Sequence, residues 1–343
     1  MSSTNAENRS GAISHGRRAP KGMKVLAGCA IGIAASAVLV ICGFIAYIRL
    51  TFSDFYDQAT AEFETPGLRT GFVPQDIAYA EAGNAWLFSG YDGNDGPSPI
   101  WRINSDGSNS YISVIEPDGN VYRGHGGGLA VASEFSYLTC DNGYLVIKTE
   151  DLLKEGNKVE VQSLAKVDVG FDPAFINMQN DVLYTGVFYY EGPYDTPDEM
   201  HLTSPDGTQN HAVMYAYEAD KSAEYGVSDQ PFAVYSIPDK VQGVALTSSN
   251  QFVFSTSWAF QASTLPMYSS DNLEPYGTYD VNGSAVDLYF MDGRNFEGEV
   301  EAPPMMEGII YHDGKIWMAN ESACNKYKFG KLYGGGTVFS LPM

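Results

Sequence analysis

A short pattern recurs five times after residue 70, and it constrains the fold more than any other feature of the chain. A small or amide residue opens a brief apolar strand, a turn follows, and a second strand ends on a small polar residue. The copies run from Gln75-Asp76-Ile77-Ala78-Tyr79 to Ser89, from Gly127-Gly128-Leu129-Ala130-Val131 to Cys140, and from Pro173-Ala174-Phe175-Ile176-Asn177 to Thr185. The last two run from Gln242-Gly243-Val244-Ala245-Leu246 to Ser255 and from Glu307-Gly308-Ile309-Ile310-Tyr311 to Asn320. The interval from the second residue of each opening to its end is 13, 12, 11, 12 and 12 positions. Units of about 40–50 residues built from short strands are the sequence form of β-propeller blades. A β-sandwich would also be all-β, but it would not fix that interval.

The first 50 residues are a different material. Residues 1–24 are polar and carry Arg9, Arg17, Arg18, Lys21 and Lys24. Residues 25–48 then contain no charge, which at about 1.5 Å per residue is ample for a hydrocarbon core of ~30 Å. The basic flank precedes the apolar stretch, so the positive-inside tendency predicts a cytoplasmic tail, a single membrane span and an extracytoplasmic remainder. A cleaved signal peptide usually has a shorter apolar stretch. Leu26-Ala27-Gly28-Cys29 is similar to a bacterial lipobox, but it opens the apolar segment instead of following it.

Beyond residue 50 there are 14 basic and 41 acidic side chains, a net charge of −27. Such a field repels nucleic acid and other anionic surfaces, so no nucleic-acid partner is expected. It favours cations, although a merely solvated acidic surface has the same composition. Cys140 and Cys324 lie in the second and fifth repeats, where an extracytoplasmic setting would permit a disulfide without requiring one. No C-x-x-C spacing is present.

Tyrosine, phenylalanine, valine and isoleucine suit half-buried pleated surfaces. Turn pairs recur at Asp106-Gly107, Asn142-Gly143, Asp206-Gly207, Asn282-Gly283 and Asp313-Gly314. Outer strands are predicted at Ile100–Ile103, Gly143–Ile147, Ala212–Tyr217 and Val286–Phe290. Four strands per unit give five blades in residues 71–343; the long fourth and fifth intervals leave room for a sixth. The fifth unit lacks one strand, which residues around Leu68–Val73 could supply to close the ring. Residues 49–70 otherwise read as a stalk. Insertions at Tyr190–His211 and Trp258–Asp280 could carry function, or be decoration.

In a propeller the inner strands begin, and the second strands end, near one rim of the central channel. That convergence selects the candidate site. His125, in Gly124-His125-Gly126-Gly127-Gly128, is a candidate ligand contact or general base, the alternative being a hydrogen-bonded histidine in a tight inter-blade turn. Glu307 and Glu321 are candidate channel carboxylates for acid–base chemistry, with inter-blade hydrogen bonding as the alternative. Asp76, Asp172, Gln242 and Asn320 are candidate ligand-binding residues. Oxygen-rich surroundings of this kind suit Ca²⁺, with its 6–8 ligands. Tyr91-Asp92-Gly93-Asn94-Asp95-Gly96 falls one residue short of a calcium-loop pattern and reads as a turn. No G-x-S-x-G elbow, P-loop or H-E-x-x-H occurs.

Val241-Gln242-Gly243-Val244-Ala245, His125-Gly126-Gly127-Gly128-Leu129-Ala130 and Glu307-Gly308-Ile309-Ile310 resemble the bacterial exported β-propellers of the NHL, YVTN and gluconolactonase-like group. In gluconolactonase-like proteins a Glu-Gly strand opening supplies a divalent-metal ligand at the channel centre, so the resemblance implies that role for Glu307. Those enzymes have six blades and draw asparagine and aspartate from other blades; the matching openings here are Gln242 and Gly127. The expectation is a membrane-anchored extracytoplasmic propeller that binds a small ligand, a glycan or an envelope protein at a polar channel mouth. The alternatives are a Ca²⁺-assisted hydrolase of a lactone, ester or glycoside, and an inert channel whose outer loops contact partner proteins.

Overall fold

The computed structural model describes residues 21–271 and 273–343. Arg9, His15, Arg17 and Arg18 of the basic tail lie outside the described residues. Two units are distinct, Met1–Tyr47 and Ile48–Met343. The helix Lys21–Thr51 contains a stretch, Gly32–Thr51, with a mean hydropathy of 2.2, long and apolar enough to cross a membrane. A signal sequence meets the same description.

Five four-stranded antiparallel sheets follow as blades. Blade 1 is Phe72–Ala80, Ala85–Asp92, Pro99–Ile103 and Asn109–Ile115, and blade 2 is Leu129–Val131, Phe135–Cys140, Gly143–Lys148 and Ala165–Asp168. Blade 3 is Phe175–Gln179, Val182–Gly186, Ala212–Glu218 and Ala233–Ile237, and blade 4 is Val241–Leu246, Gln251–Thr256, Ser263–Ser269 and Phe296–Ala302. Blade 5 is Met306–His312, Lys315–Asn320 and Thr337–Pro342, completed by Thr60–Glu64. The five inner strands contact one another in a closed circle, blade 5 against blade 1 included.

Two expectations are corrected here. The strand that closes the ring is Thr60–Glu64, not Leu68–Val73, so the stretch read as a stalk is partly built into the propeller. Phe55, in the short helix Ser53–Gln58, is fully buried and packs edge-to-face on Phe339 at 5.6 Å. Phe55→Ala is expected to cost about 3–5 kcal/mol, as for other buried aromatics. Urea unfolding measures it, and a loss below about 1 kcal/mol would mean that this segment is not part of the cooperative unit.

The second correction concerns the long fourth unit. Its extra length builds no sixth blade. Thr278–Val281 and Ser284–Phe290 form a hairpin that extends the sheet of blade 3, with Ser284–Phe290 pairing parallel to Ala233–Ile237. Lys158–Gln162 extends blade 1 in the same way. Added strands cover the outer edges, which would otherwise offer unpaired backbone groups to other chains.

Five blades make a tight ring, and small residues make it closable. A Cβ at Gly243 would lie 2.8 Å from both Gly308 Cα and Ile309 N, and one at Gly128 2.5 Å from Ile176 N. Side chains then weld the seams. Asp76 Oδ1 accepts from its neighbour Ile77 N at 2.8 Å, and Oδ2 accepts from Leu129 N of blade 2 at 2.7 Å. Asn177 Nδ2 donates to Val244 O at 2.5 Å, and Gln179 Oε1 accepts from Leu246 N at 3.1 Å, joining blade 3 to blade 4. Inner strands of neighbouring blades do not share a ladder, so these bonds satisfy backbone groups that would otherwise be orphaned.

Candidate functional site

Three of the five inner strands lose register at the same place. The shift falls between Pro74 and Asp76 in blade 1, between Val241 and Gly243 in blade 4, and between Met306 and Ile309 in blade 5. A bulge re-aims the side chain it carries. The residues within these three, Gln75, Gln242 and Glu307, all line one cavity of about 970 Å³ at the channel mouth. The space between Asp76, Leu129, Ile176 and Ile309 narrows to about 10 Å³, roughly one water molecule.

The cavity has two unlike arcs. Over blades 5, 1 and 2 it is polar, with Glu307, Glu321, Lys326, Gln75, Tyr91 and His125. Over blades 3 and 4 it is aromatic, with Phe188, Tyr194, Trp258 and Phe260. Trp258 anchors that arc: Tyr190 stacks on it at 4.2 Å, Tyr194 meets it edge-on at 5.5 Å, and Phe188 lies 6.0 Å away. Residues 193–197 of the Tyr190–His211 insertion complete this side.

The polar arc is one connected chain. Gln75 Nε2 donates to Glu321 Oε2 at 3.2 Å and to Pro74 O at 3.1 Å. Two acceptors fix which end of the amide carries the nitrogen, so Gln75 Oε1 faces His125 Nε2 at 2.6 Å as an acceptor. His125 must then hold its proton on Nε2, which leaves Nδ1 as a lone pair when the ring is neutral. Burial, aided by the Lys326 charge, pushes the imidazole below its ordinary value and keeps it neutral. The ring stacks on Tyr91 at 4.8 Å, and Lys326 Nζ donates to the Tyr91 hydroxyl at 2.7 Å.

The carboxyls are the unusual element. Glu307 is 2% exposed. Burial first, then the charges of Glu321 and Asp76, hold it well above the usual carboxylate range, against the pull of the Ser257 hydroxyl. Burial pushes Glu321 up to about 7, against the Gln75 hydrogen bond and the Lys326 charge. Two carboxyls buried side by side resist ionising together, because each charge raises the cost of the other.

The structure therefore brings together His125, Glu307 and Glu321, with Gln242 half-buried and Asp172 exposed on the same cavity wall. Asp172 also accepts from Asn142 N at 2.6 Å. It does not bring Asp76 or Asn320 to this cavity. Asp76 spends both oxygens on the seam between blades 1 and 2. Asn320 donates to Pro304 O at 3.1 Å, and its oxygen accepts from Ser322 N at 2.8 Å. Cys140 and Cys324 are buried free thiols. Asp92 Oδ1 caps its own turn through Asn94 N at 2.9 Å.

Gln75 and Lys326 are not among the residues the sequence singles out; Tyr91 lies in the turn motif, and Tyr194, Trp258 and Phe260 lie in the two insertions that the sequence marks as possible carriers of function. Gln75 was within reach, because it occupies the position of Gln242 and Glu307 in the repeat. Lys326 and Trp258 lie in loops outside the repeat and carry no such signal.

Among the described residues, no three His, Cys, Asp or Glu side chains gather as a metal site requires. Asp76 is committed to backbone N–H groups and Gln75 Oε1 to His125, so the carboxylate set that the resemblance implies around Glu307 is not assembled there.

No family model and no curated protein match the chain. Solved structures do. Calcium-binding regucalcin from Agrobacterium tumefaciens aligns over 82% of this chain and 93% of its own at 9% identity, with a TM-score of 0.42. The PQQ-bound aldose sugar dehydrogenase of Streptomyces coelicolor aligns over 83% and 98% at 12% identity and a TM-score of 0.39. Glutaminyl cyclase of Myxococcus xanthus aligns over 82% and 95% at 12% identity and a TM-score of 0.38. The architecture of this chain rests on its own five sheets.

Proposed function

We propose that the propeller binds a small molecule at the channel mouth. One observation carries this reading: a cavity of about 970 Å³ combines an aromatic arc with a hydrogen-bonded polar arc. Ligand pockets are characteristically concave, largely apolar and fitted with a few convergent polar groups. The ring supplies rigidity at Gln75, Gln242 and Glu307, which stand on strand bulges, while His125, Glu321 and Lys326 come from the connections beside them. A membrane-anchoring helix ahead of the domain would hold the mouth at the cell envelope. A small molecule, including a short glycan, suits the enclosed shape better than a protein surface does.

The test is a thermal-shift screen of the full chain against small polar, aromatic and saccharide compounds, repeated with Trp258→Ala. Hits should lose about tenfold or more in affinity in the variant, the scale of a stacked aromatic contact. Hits indifferent to Trp258 would place binding elsewhere.

A second reading, hydrolysis of a lactone, ester or glycoside, draws on the pairing of Glu307 with Glu321 beside a neutral His125. Carboxyls pushed to unlike values are a common feature of acid–base sites. The calcium-assisted form has its own test. A ligand at 100 times its dissociation constant adds about 2.7 kcal/mol to stability. A midpoint raised by Ca²⁺, lowered by EDTA and insensitive to calcium in Glu307→Gln would support it.

A further inference from the structure

The charge balance of the cavity identifies a class of ligand, an inference that rests on the binding reading above. Five carboxyls line the cavity, Asp141, Asp172, Asp195, Glu307 and Glu321, against a single cation, Lys326. That cation is engaged: its ammonium is bonded to the Tyr91 hydroxyl and lies 4.9 Å from the centroid of the Tyr91 ring and 5.2 Å from that of Tyr327. Glu307 and Glu321 stand at the floor with Gln75, His125 and Ser257 as neutral neighbours, and no arginine lines the cavity. Buried charges of native proteins are normally paired or ligate metal; here Glu307 has only the Ser257 hydroxyl, and Glu321 the Gln75 amide with Lys326 as the one positive charge nearby. The same cavity is lined over blades 3 and 4 by Phe188, Tyr194 and Trp258, aromatic rings whose π systems attract a cation.

We infer that the cavity takes a small organic cation, an amine or guanidine, whose N–H groups bond to the Glu307 and Glu321 carboxyls and whose body lies against the Phe188–Tyr194–Trp258 arc. An inorganic cation would satisfy the carboxyls but would leave the aromatic arc without a function. A neutral polyol would suit the arc but would not relieve the carboxyls. Arrival of the cation ionises carboxyls that are otherwise protonated, so binding releases protons. The titratable groups around the Glu307–Glu321 pair are Asp76, Tyr91, Cys324, Lys326 and Tyr333, with His125 and Tyr327 on the same cavity wall. Burial pushes the Asp76 carboxyl up as well, but Asp76 spends both oxygens on backbone N–H groups and does not line the cavity, His125 is kept neutral and Lys326 stays charged, which makes the pair the source of protons that a bound cation can reach.

Isothermal titration calorimetry tests this on the full chain in a sugar-free non-ionic detergent. The probes are agmatine and benzylammonium, with benzyl alcohol and 1,4-butanediol as neutral counterparts and Ca²⁺ as the inorganic one. Expected results are binding of at least one amine, an apparent heat that varies with buffer ionisation enthalpy, and an affinity that rises up to tenfold per pH unit towards pH 7. Glu321→Gln and Glu307→Gln should each weaken the amine about tenfold or more, the scale of a charge-assisted hydrogen bond. Because glutamine mimics a protonated glutamate, both variants should fold. Neutral probes that bind as well as the amines, or amine binding without proton release, would overturn the charge class and leave the binding reading intact. Ca²⁺ binding that depends on Glu307, with no amine binding, would overturn it in favour of a metal. Failure of every probe, charged and neutral, would overturn both.

Discussion

Between pH 5 and pH 7.5 the protein is expected to lose roughly 2.5 kcal/mol of stability through Glu321 alone. Its carboxyl moves from an ordinary value of 4.5 to about 7 on folding. The folded state therefore binds the proton more tightly than the unfolded state does. The stabilisation is complete below the unfolded value and is lost as pH rises through the folded one. For a domain of this size, with about 2–4 °C per kcal/mol, the melting temperature should fall by roughly 5–10 °C across the window. Glu307 contributes in the same direction and further up the scale, because an ionised Glu321 beside it discourages its own ionisation. Glu321→Gln should flatten the profile and, at pH 8, be more stable than the parent chain. Melting curves of both proteins at half-unit pH steps check this. A parent profile that rises from pH 5 to 7.5 would contradict it.

Gly308→Ala should destabilise by about 3 kcal/mol or more, the range of forced overpacking in a core that cannot relax. The added Cβ would fall on Asp76 Oδ1 and lie 2.7 Å from Asp76 Cα. The obstruction is backbone, so no rotamer change relieves it, and it sits on the seam where blade 5 meets blade 1. Asp76 would also be pushed off the N–H groups of Ile77 and Leu129, leaving buried donors unpaired. Gly107 gives the contrast, with a φ of 81° in open space. Gly107→Asn should stay within about 1 kcal/mol, since asparagine tolerates the left-handed region. Chemical denaturation of the two variants separates close approach from backbone conformation as the reason for glycine. Equal losses would mean that the inner seam is looser than the contacts imply.

The same glycines explain why the ring was legible in the sequence. Gly128, Gly243 and Gly308 recur because adjacent inner strands touch there, so one steric requirement writes one residue type at a fixed interval. The strand pairs after them follow from brief apolar runs separated by short polar turns, of which Asp313-Gly314 is the clearest. What broke the pattern was material without periodicity. Thr60–Glu64 lies far from the blade it completes, and only three-dimensional closure selects it over Leu68–Val73. Ser284–Phe290 reads as a fourth-blade strand because of its place in the chain, yet its edge pairs with blade 3.

The repeat points to the rim where the cavity opens, but in blade 1 it is Gln75, one residue before Asp76, that lines it. Side chains alternate along a strand, so a shift of one residue exchanges faces. Asp76 occupies the glycine position and turns to the seam, while Gln75 occupies the position of Gln242 and Glu307 and turns to the cavity. Asn320 fails for a related reason: an asparagine at a strand end finds backbone partners locally, and its neighbour Glu321 is the one that reaches the cavity. The aromatic arc comes from insertions whose course the sequence does not fix.

Carboxyl-selective ¹³C NMR of the glutamate-labelled chain, with Glu307→Gln and Glu321→Gln as assignments, tests the unneutralised carboxyl pair most directly. At pH 7 without ligand, the Glu307 side-chain carbon should still carry the shift of a protonated carboxyl. The Glu321 carbon should be midway through its titration. Both should move towards the ionised shift when an amine that binds is added. Two glutamates fully ionised at pH 5.5, with no response to amine, would contradict the claim that this cavity holds carboxyls awaiting a cation.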